Sequence, residues 1–209
     1  MTTPPAAITL GLCLAAAAAC SSTSSPSPAP SPTGVAATSP SAPSATESPV
    51  APESNPAGDI PDNLAFVRYA SSTGGYSFTY PEGWAVVTTG SRVQITDKLN
   101  AIAADITSAA TAPTVATVRS GEVPRLTSTE PAFELVGVTA ETLSGAPSVL
   151  VTYRVNSALD AVTGRKHRDE VQEHLIWKSG RLLTLKLTAI VGADNVDAYR
   201  TITNSITLP

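Results

Sequence analysis

The 209-residue chain carries 17 acidic and 13 basic residues, a formal net charge of −4. No Lys or Arg precedes Arg68, and Glu47, Glu53 and Asp59 are the only acidic residues among the first sixty, so the remainder is close to neutral. That balance gives no field for nucleic acid and no polybasic membrane patch. The only cysteines, Cys13 and Cys20, lie near the N-terminus, so the rest of the chain has no disulfide, thiol nucleophile or thiolate metal ligand.

Ile8 to Ala19 is a run of apolar and small residues, too short to span a bilayer and of the length of a signal-peptide core. It leads into Ala17-Ala18-Ala19-Cys20-Ser21-Ser22. Small residues before a cysteine, then a Ser-rich start, resemble a bacterial lipobox, where the cysteine receives a diacylglycerol and becomes the mature N-terminus. Ala17 stands where Leu is commoner, and no positive charge precedes the run. Cys13 follows the bulky Leu12 and competes poorly. Residues 1–19 thus read as a lipoprotein signal peptide and Cys20 as the lipidated residue. Palmitate-type chains there would hold the protein on the extracytoplasmic face of the cell membrane, since two acyl chains anchor stably where one binds marginally.

Residues 20–61 are dominated by Ser, Pro, Ala and Thr, without an aromatic residue or a periodic apolar face. Such a segment cannot offset the entropy of ordering and is expected to be a disordered tether. At about 3 Å per residue it would reach roughly 100 Å when extended.

Residues 62–209 read as one domain. Leu64–Tyr69 and Tyr76–Tyr80 alternate as strands, joined through Ser71-Ser72-Thr73-Gly74-Gly75. Pro81 should end the second strand and Gly83 turn the chain, leaving Trp84 buried and residues 84–88 continuing the same sheet. Strands are predicted over Arg92–Thr96 and Ala101–Thr107. Residues 113–119 predict a helix with Pro113 in its first turn, capped by Gly121, and Pro124 should forbid resumption. Strands return over Phe133–Thr142, through Val149, Val151, Tyr153 and Val155, and over Val171–Lys178. A Ser179-Gly180 turn then leads into Arg181–Ile190, with Leu183, Leu185 and Leu187 facing the core. A final helix is expected, with Asp194 as N-cap, Asp197 in its first turn, and Val196, Tyr199, Ile202 and Ile206 as its apolar stripe. The fold class expected is α+β, a mostly antiparallel β-sheet with helices packed on it.

The Tyr-x-Phe-x-Tyr-Pro-x-Gly-Trp hairpin of residues 76–84, the antiparallel meander and the terminal helix ending Tyr199-Arg200-Thr201-Ile202-Thr203-Asn204-Ser205-Ile206 resemble the PsbP/Mog1-like fold over about Asp62 to Pro209. Thr96-Asp97-Lys98-Leu99-Asn100 and Gly192-Ala193-Asp194-Asn195-Val196-Asp197 resemble actinobacterial lipoproteins of that fold. Its members include photosystem II extrinsic subunits, a Ran-binding protein and bacterial envelope lipoproteins. The resemblance implies binding or assembly without a shared catalytic centre, and a protein or envelope component as partner.

Among residue types that carry chemistry, His167 and His174 are the only histidines. Their spacing in a continuous strand points them to opposite faces, and His167 reads as part of a solvated basic tip with Arg165, Lys166 and Arg168. No Gly-x-Ser-x-Gly and no phosphate-cradling loop occurs, and Ser144-Gly145 and Ser179-Gly180 read as turns. Asp97, Lys98 and Asn100 form a polar cluster at a turn or a pocket rim. No catalytic, cofactor-binding or metal-ligating residue is assigned. The leading expectation is a non-enzymatic binding or assembly module. The alternatives are a carrier of envelope lipids or small hydrophobic ligands, which needs a cavity between sheet and helices, and a hydrolase or transferase using His167 or His174 with a carboxylate.

Overall fold

A computed structural model of the chain describes residues 47–54 and 57–209. The apolar run Ile8–Ala19, Cys20 and the first part of the tether lie outside the described residues. The aromatic hairpin forms as its alternation dictates: β1 (Phe66–Ala70) pairs antiparallel with β2 (Ser77–Pro81). Gly75 takes a φ of +63° in the connection, and a Cβ on Gly74 would collide with the Tyr76 ring. The rings of Tyr76 and Phe78 stack with centroids 6.3 Å apart, and the Tyr76 hydroxyl donates to Ser91 O at 2.7 Å.

Trp84 is buried as expected, but the chain beyond it does not continue the same sheet. Pro81 has no N–H with which to extend the ladder, and Gly83, at a φ of +88°, turns the backbone away. A separate antiparallel sheet begins with β3 (Ala85–Thr89) and contains β4 (Arg92–Asp97), β5 (Asn100–Ser108), β6 (Glu134–Leu143), β7 (Ala146–Asn156), β8 (Arg168–Lys178) and β9 (Arg181–Ile190). Its order is β3-β4-β5-β9-β8-β7-β6. The Ser144-Gly145 and Ser179-Gly180 turns have positive φ at both residues, the twist that tight hairpins favour. Asp97 and Asn100 face one another across a two-residue turn, so that polar cluster is a hairpin end.

Among the described residues there are three helices: α1 (Val115–Ser120), α2 (Glu122–Thr129) and α3 (Val196–Asn204). Thr114 caps α1 through a reciprocal box with Thr117, so Pro113 lies before the helix rather than in its first turn. Pro124 does not forbid resumption. It occupies the third position of α2, where a backbone N–H would lack an intrahelical acceptor in any case.

The two sheet faces carry separate cores. On one, Leu183, Leu185 and Leu187 of β9 lie with Ile102 of β5 and Ile95 of β4, covered by Tyr76, Phe78, Ala198 and Ile202. On the other, Val149, Val151, Tyr153, Val155 and Leu175 lie beneath Val118 of α1 and Leu126 of α2. β3 is an edge strand whose five residues are all exposed.

The stripe expected on α3 is partly displaced. Val196 is 62% exposed, whereas Ala198 and Ile202 are buried and Ile206 is buried just beyond the helix end. The N-cap position belongs to Asn195, not Asp194. The Asn195 side chain works as a staple: Oδ1 accepts from Ile60 N at 2.7 Å and Nδ2 donates to Asn100 Oδ1 at 3.0 Å. Asn100 in turn donates to Gly58 O at 2.9 Å.

Ile60, placed by composition in the tether, is buried in the first core. Further back, Glu47 bonds Lys166 Nζ at 2.5 and 2.6 Å, and Val50 N donates to Asn156 Oδ1 at 3.0 Å. Arg168 is not part of a solvated tip. It is 2% exposed, and its guanidinium donates to Ala132 O, Asn156 Oδ1 and Glu134 Oε2, the acceptors a buried cation requires.

Ile202 has no accessible surface beneath α3. An Ile202→Asp substitution would place an unpaired charge in that core at a cost of about 4 kcal/mol, comparable to the whole stability of a marginal domain. Urea titration followed by tryptophan fluorescence should show loss of the cooperative transition; an unchanged midpoint would mean that α3 does not seal this core.

Candidate functional site

On the face that α1 and α2 share, the helices stand over β6, β7 and β8 and leave the β4, β5 and β9 side as a trough. The result is a cavity of about 680 Å³ whose floor includes Gln94, Ala103 and Thr184 and whose apolar wall is Val118, Leu175 and Leu182. That volume falls within the roughly 300–1,000 Å³ usual for small-molecule sites. Strand alternation explains the floor. Leu183, Leu185 and Leu187 turn to the closed core, so Leu182, Thr184 and Lys186 must turn to the cavity side.

One end of the cavity is built on a buried polar network. Lys186 Nζ lies 3.0 Å from Glu173 Oε2, donates to the Tyr153 hydroxyl at 3.1 Å and stands 3.6 Å from Glu130 Oε1. The Tyr153 hydroxyl donates to the same Glu173 oxygen at 3.2 Å. Glu173 has no accessible surface, and its Oε1 takes no donor among the described residues. Burial raises its carboxyl, against the pull of Lys186. The neighbouring Glu122 is also opposed by burial, but the Arg125 guanidinium more than compensates and holds it low. At the other end Arg92 pairs with Asp105 at 3.1 Å. Burial raises the Asp105 carboxyl, and its bonds from Ser91 and Arg92 bring it below the usual range.

Neither histidine lines this cavity. His174 is buried, with Nδ1 2.7 Å from Glu141 Oε1 and Nε2 without a partner among the described residues. His167 precedes β8, in the order of a Ser–His–Asp relay: Ser157 Oγ is 3.2 Å from Nδ1, and Asp169 Oδ1 is 3.1 Å from Nε2. The chemistry of such a relay is not in place. Ser157 donates its hydroxyl proton to Ala158 O at 2.7 Å and receives the His167 N–H at 3.0 Å. Asp169 is buried, and burial raises its carboxyl to about 7, so it is only partly ionised near neutrality. These contacts close the loop between β7 and β8. Asp194 receives no ligand-like setting, since its N–H donates to Asp59 Oδ1, and Asp197 pairs with Arg200 at 2.6 Å. Among the described residues no group of three His, Cys, Asp or Glu side chains could hold a metal ion, and no helix is long and apolar enough to cross a membrane.

The residues that shape the site are ones sequence reasoning passed over. Glu173 shares its alternation phase with Val171 and Leu175 and therefore had to be buried. Its partner, Lys186, sits directly opposite on β9, a register not visible before the strands are paired.

No protein-family model and no curated protein matches the chain. Among solved structures it is similar to cyanobacterial PsbP (CyanoP) from Synechocystis, at 17% identity and a TM-score of 0.45, over 74% of this chain and 98% of that one. It is similar to the Saccharomyces cerevisiae Ran-binding protein Mog1p at 6% identity and a TM-score of 0.46, over 69% and 96% of the two chains. LpqN, involved in cell envelope biogenesis of Mycobacterium tuberculosis, is similar at 15% identity and a TM-score of 0.44, over 70% and 91%. The likeness is one of fold, PsbP/Mog1-like, and says nothing of ligand or partner.

Burial pushes the Asp169 carboxyl up to about 7, against the attraction of Arg168. Its folded value thus exceeds the unfolded one. The stabilisation this confers is complete below about pH 4 and is lost as pH rises through about 7. Asp169→Asn should remove that slope, so the variant gains on the parent between pH 4 and 8 by at most about 4 kcal/mol. Denaturant titrations across that range test this, and parallel stability curves for the two proteins would contradict it.

Proposed function

We propose that this protein is an extracytoplasmic lipoprotein, anchored in the cell membrane through Cys20, whose domain is a non-enzymatic binding module for a small amphipathic molecule. The observation that carries the binding reading is the cavity of about 680 Å³ between the α1–α2 layer and the sheet. A well-filled interior would have argued against a carrier. Here an apolar wall faces a floor of small or polar residues, with charged side chains at either end, the form of a site that grips one end of a ligand and shelters the rest. The threonines in its lining, Thr107, Thr117 and Thr184, have no histidine beside them in the cavity to activate them as nucleophiles. The anchoring reading rests on the small-residue run before Cys20 and the Ser/Pro-rich stretch after it.

The full chain carrying Cys20→Ser, which bears no acyl group, should bind the uncharged dye N-phenyl-1-naphthylamine saturably, with a rise in emission. Thr184→Trp, which fills the floor, should abolish that rise at unchanged melting temperature. Dye emission unaffected by Thr184→Trp, or no binding at all, would remove the cavity from consideration. In the producing cell, Cys20→Ser should move the protein from the membrane fraction to the soluble extracytoplasmic fraction. Continued membrane association after that change would overturn the anchor.

A further inference from the structure

We infer that the free edge of the seven-stranded sheet at β3 is a self-association surface, on which β3 of a second copy of this chain pairs antiparallel about a two-fold axis at Val87. The contact is independent of the cavity and of any ligand held there.

The edge is open and unguarded. All five residues of β3 are exposed, and among the described residues the strand pairs only with β4. A bare edge offers a row of unpaired N–H and C=O groups to any strand, and proteins that leave an edge unused blunt it with charges, Pro or a bulge. The opposite edge, β6, has that protection, since it carries Glu134 and Glu141 and a bulge between Leu135 and Gly137. β3 reads Ala-Val-Val-Thr-Thr, without a charge or a proline, and its register against β4 is unbroken. Val86 and Val87 stand 40% and 64% exposed on it.

The backbone specifies how a copy would pair. Gly90 takes a φ of +61° and Ser91 does not take a positive φ, so the two-residue turn between Thr89 and Arg92 has the type II′ form with glycine first. Its closing bond turns the polar groups of Thr89 toward β4, and alternation does the same for Val87 and Ala85. The N–H and C=O groups of Val86 and Thr88 therefore point outward. With the axis at Val87, Val86 of each copy lies opposite Thr88 of the other, and all of these groups are satisfied. The two Val87 side chains meet in a non-hydrogen-bonded pair, with Cα atoms about 4.5 Å apart, and cover each other. Two features single out a second copy as the occupant. β3 is β-branched on both sides of Val87, so it is close to symmetric in shape about the axis, and it brings no like charges together. A contact of five residues is small, so the dimer is reversible rather than obligate.

The test is sedimentation velocity of the full chain carrying Cys20→Ser from about 10 μM to about 1 mM, the span in which so small a contact is populated. The mean coefficient should rise from that of a monomer toward that of a dimer. Thr88→Pro removes an outward N–H and nothing from the β4 ladder, so it should abolish the rise at unchanged melting temperature. Val87→Glu, at an exposed side chain, should also abolish it by setting like charges opposite one another, and it decides the matter if the proline variant fails to fold. In a chain carrying Cys13→Ser and Cys20→Ser, Val87→Cys should join two copies through a disulfide on mild oxidation. Thr89→Cys, which the register holds away from its own counterpart, should not. A monomer throughout the concentration range would overturn the proposal. So would a dimer that survives Val87→Glu, or equal cross-linking at the two cysteine positions.

Discussion

The alternation of β9 is the constraint on which the other parts depend. Leu183, Leu185 and Leu187 have no accessible surface and lock the strand against β5, β8 and the layer made by the aromatic hairpin and α3. A slip of one residue would turn all three outward and drive Thr184 and Lys186 into that core, so the register is held by the full weight of the apolar burial. The same lock assigns Lys186 to the opposite face, opposite Glu173 and within reach of Tyr153. The chemistry of the cavity is thus a by-product of the core on the other side of the sheet.

The asymmetry between the two faces has a simple origin. One face is covered along its centre by a hairpin rich in aromatic rings and by a nine-residue helix. The other receives two short helices of six and eight residues, enough to shelter β6, β7 and β8 but not the strands beyond β9. Where the cover stops, the floor residues are small or polar, and the ends are occupied by ion pairs. The protein leaves room there without exposing a large apolar patch to water.

Much of the frame was legible before any coordinates. The Tyr76–Trp84 pattern, the leucines of β9 and the Ser-Gly turns each follow from a period or a backbone requirement that a few adjacent residues reveal. What escaped depends on pairing or position. Pro124 reads as a helix breaker until it is seen in a first turn. Arg168 reads as solvated until Ala132, Asn156 and Glu134 are found around it. The network of Tyr153, Glu173 and Lys186 draws on three strands whose register no local pattern fixes. Asn195 looked like a neighbour of a cap, yet its amide serves the backbone of Ile60 instead.

The way the N-terminal segment meets the domain has a mechanical meaning. Glu47 and Val50 join the fold at Lys166, in the connection between β7 and β8, and at Asn156, the last residue of β7, and Gly58 and Ile60 join again at Asn100 and Asn195. Only after these points does the chain enter β1, one of two strands held by five residue pairs. Tension arriving from the N-terminal side is therefore borne first by interior strands, each flanked by neighbours on both sides. The small aromatic hairpin lies behind two successive points of attachment and is shielded from the load.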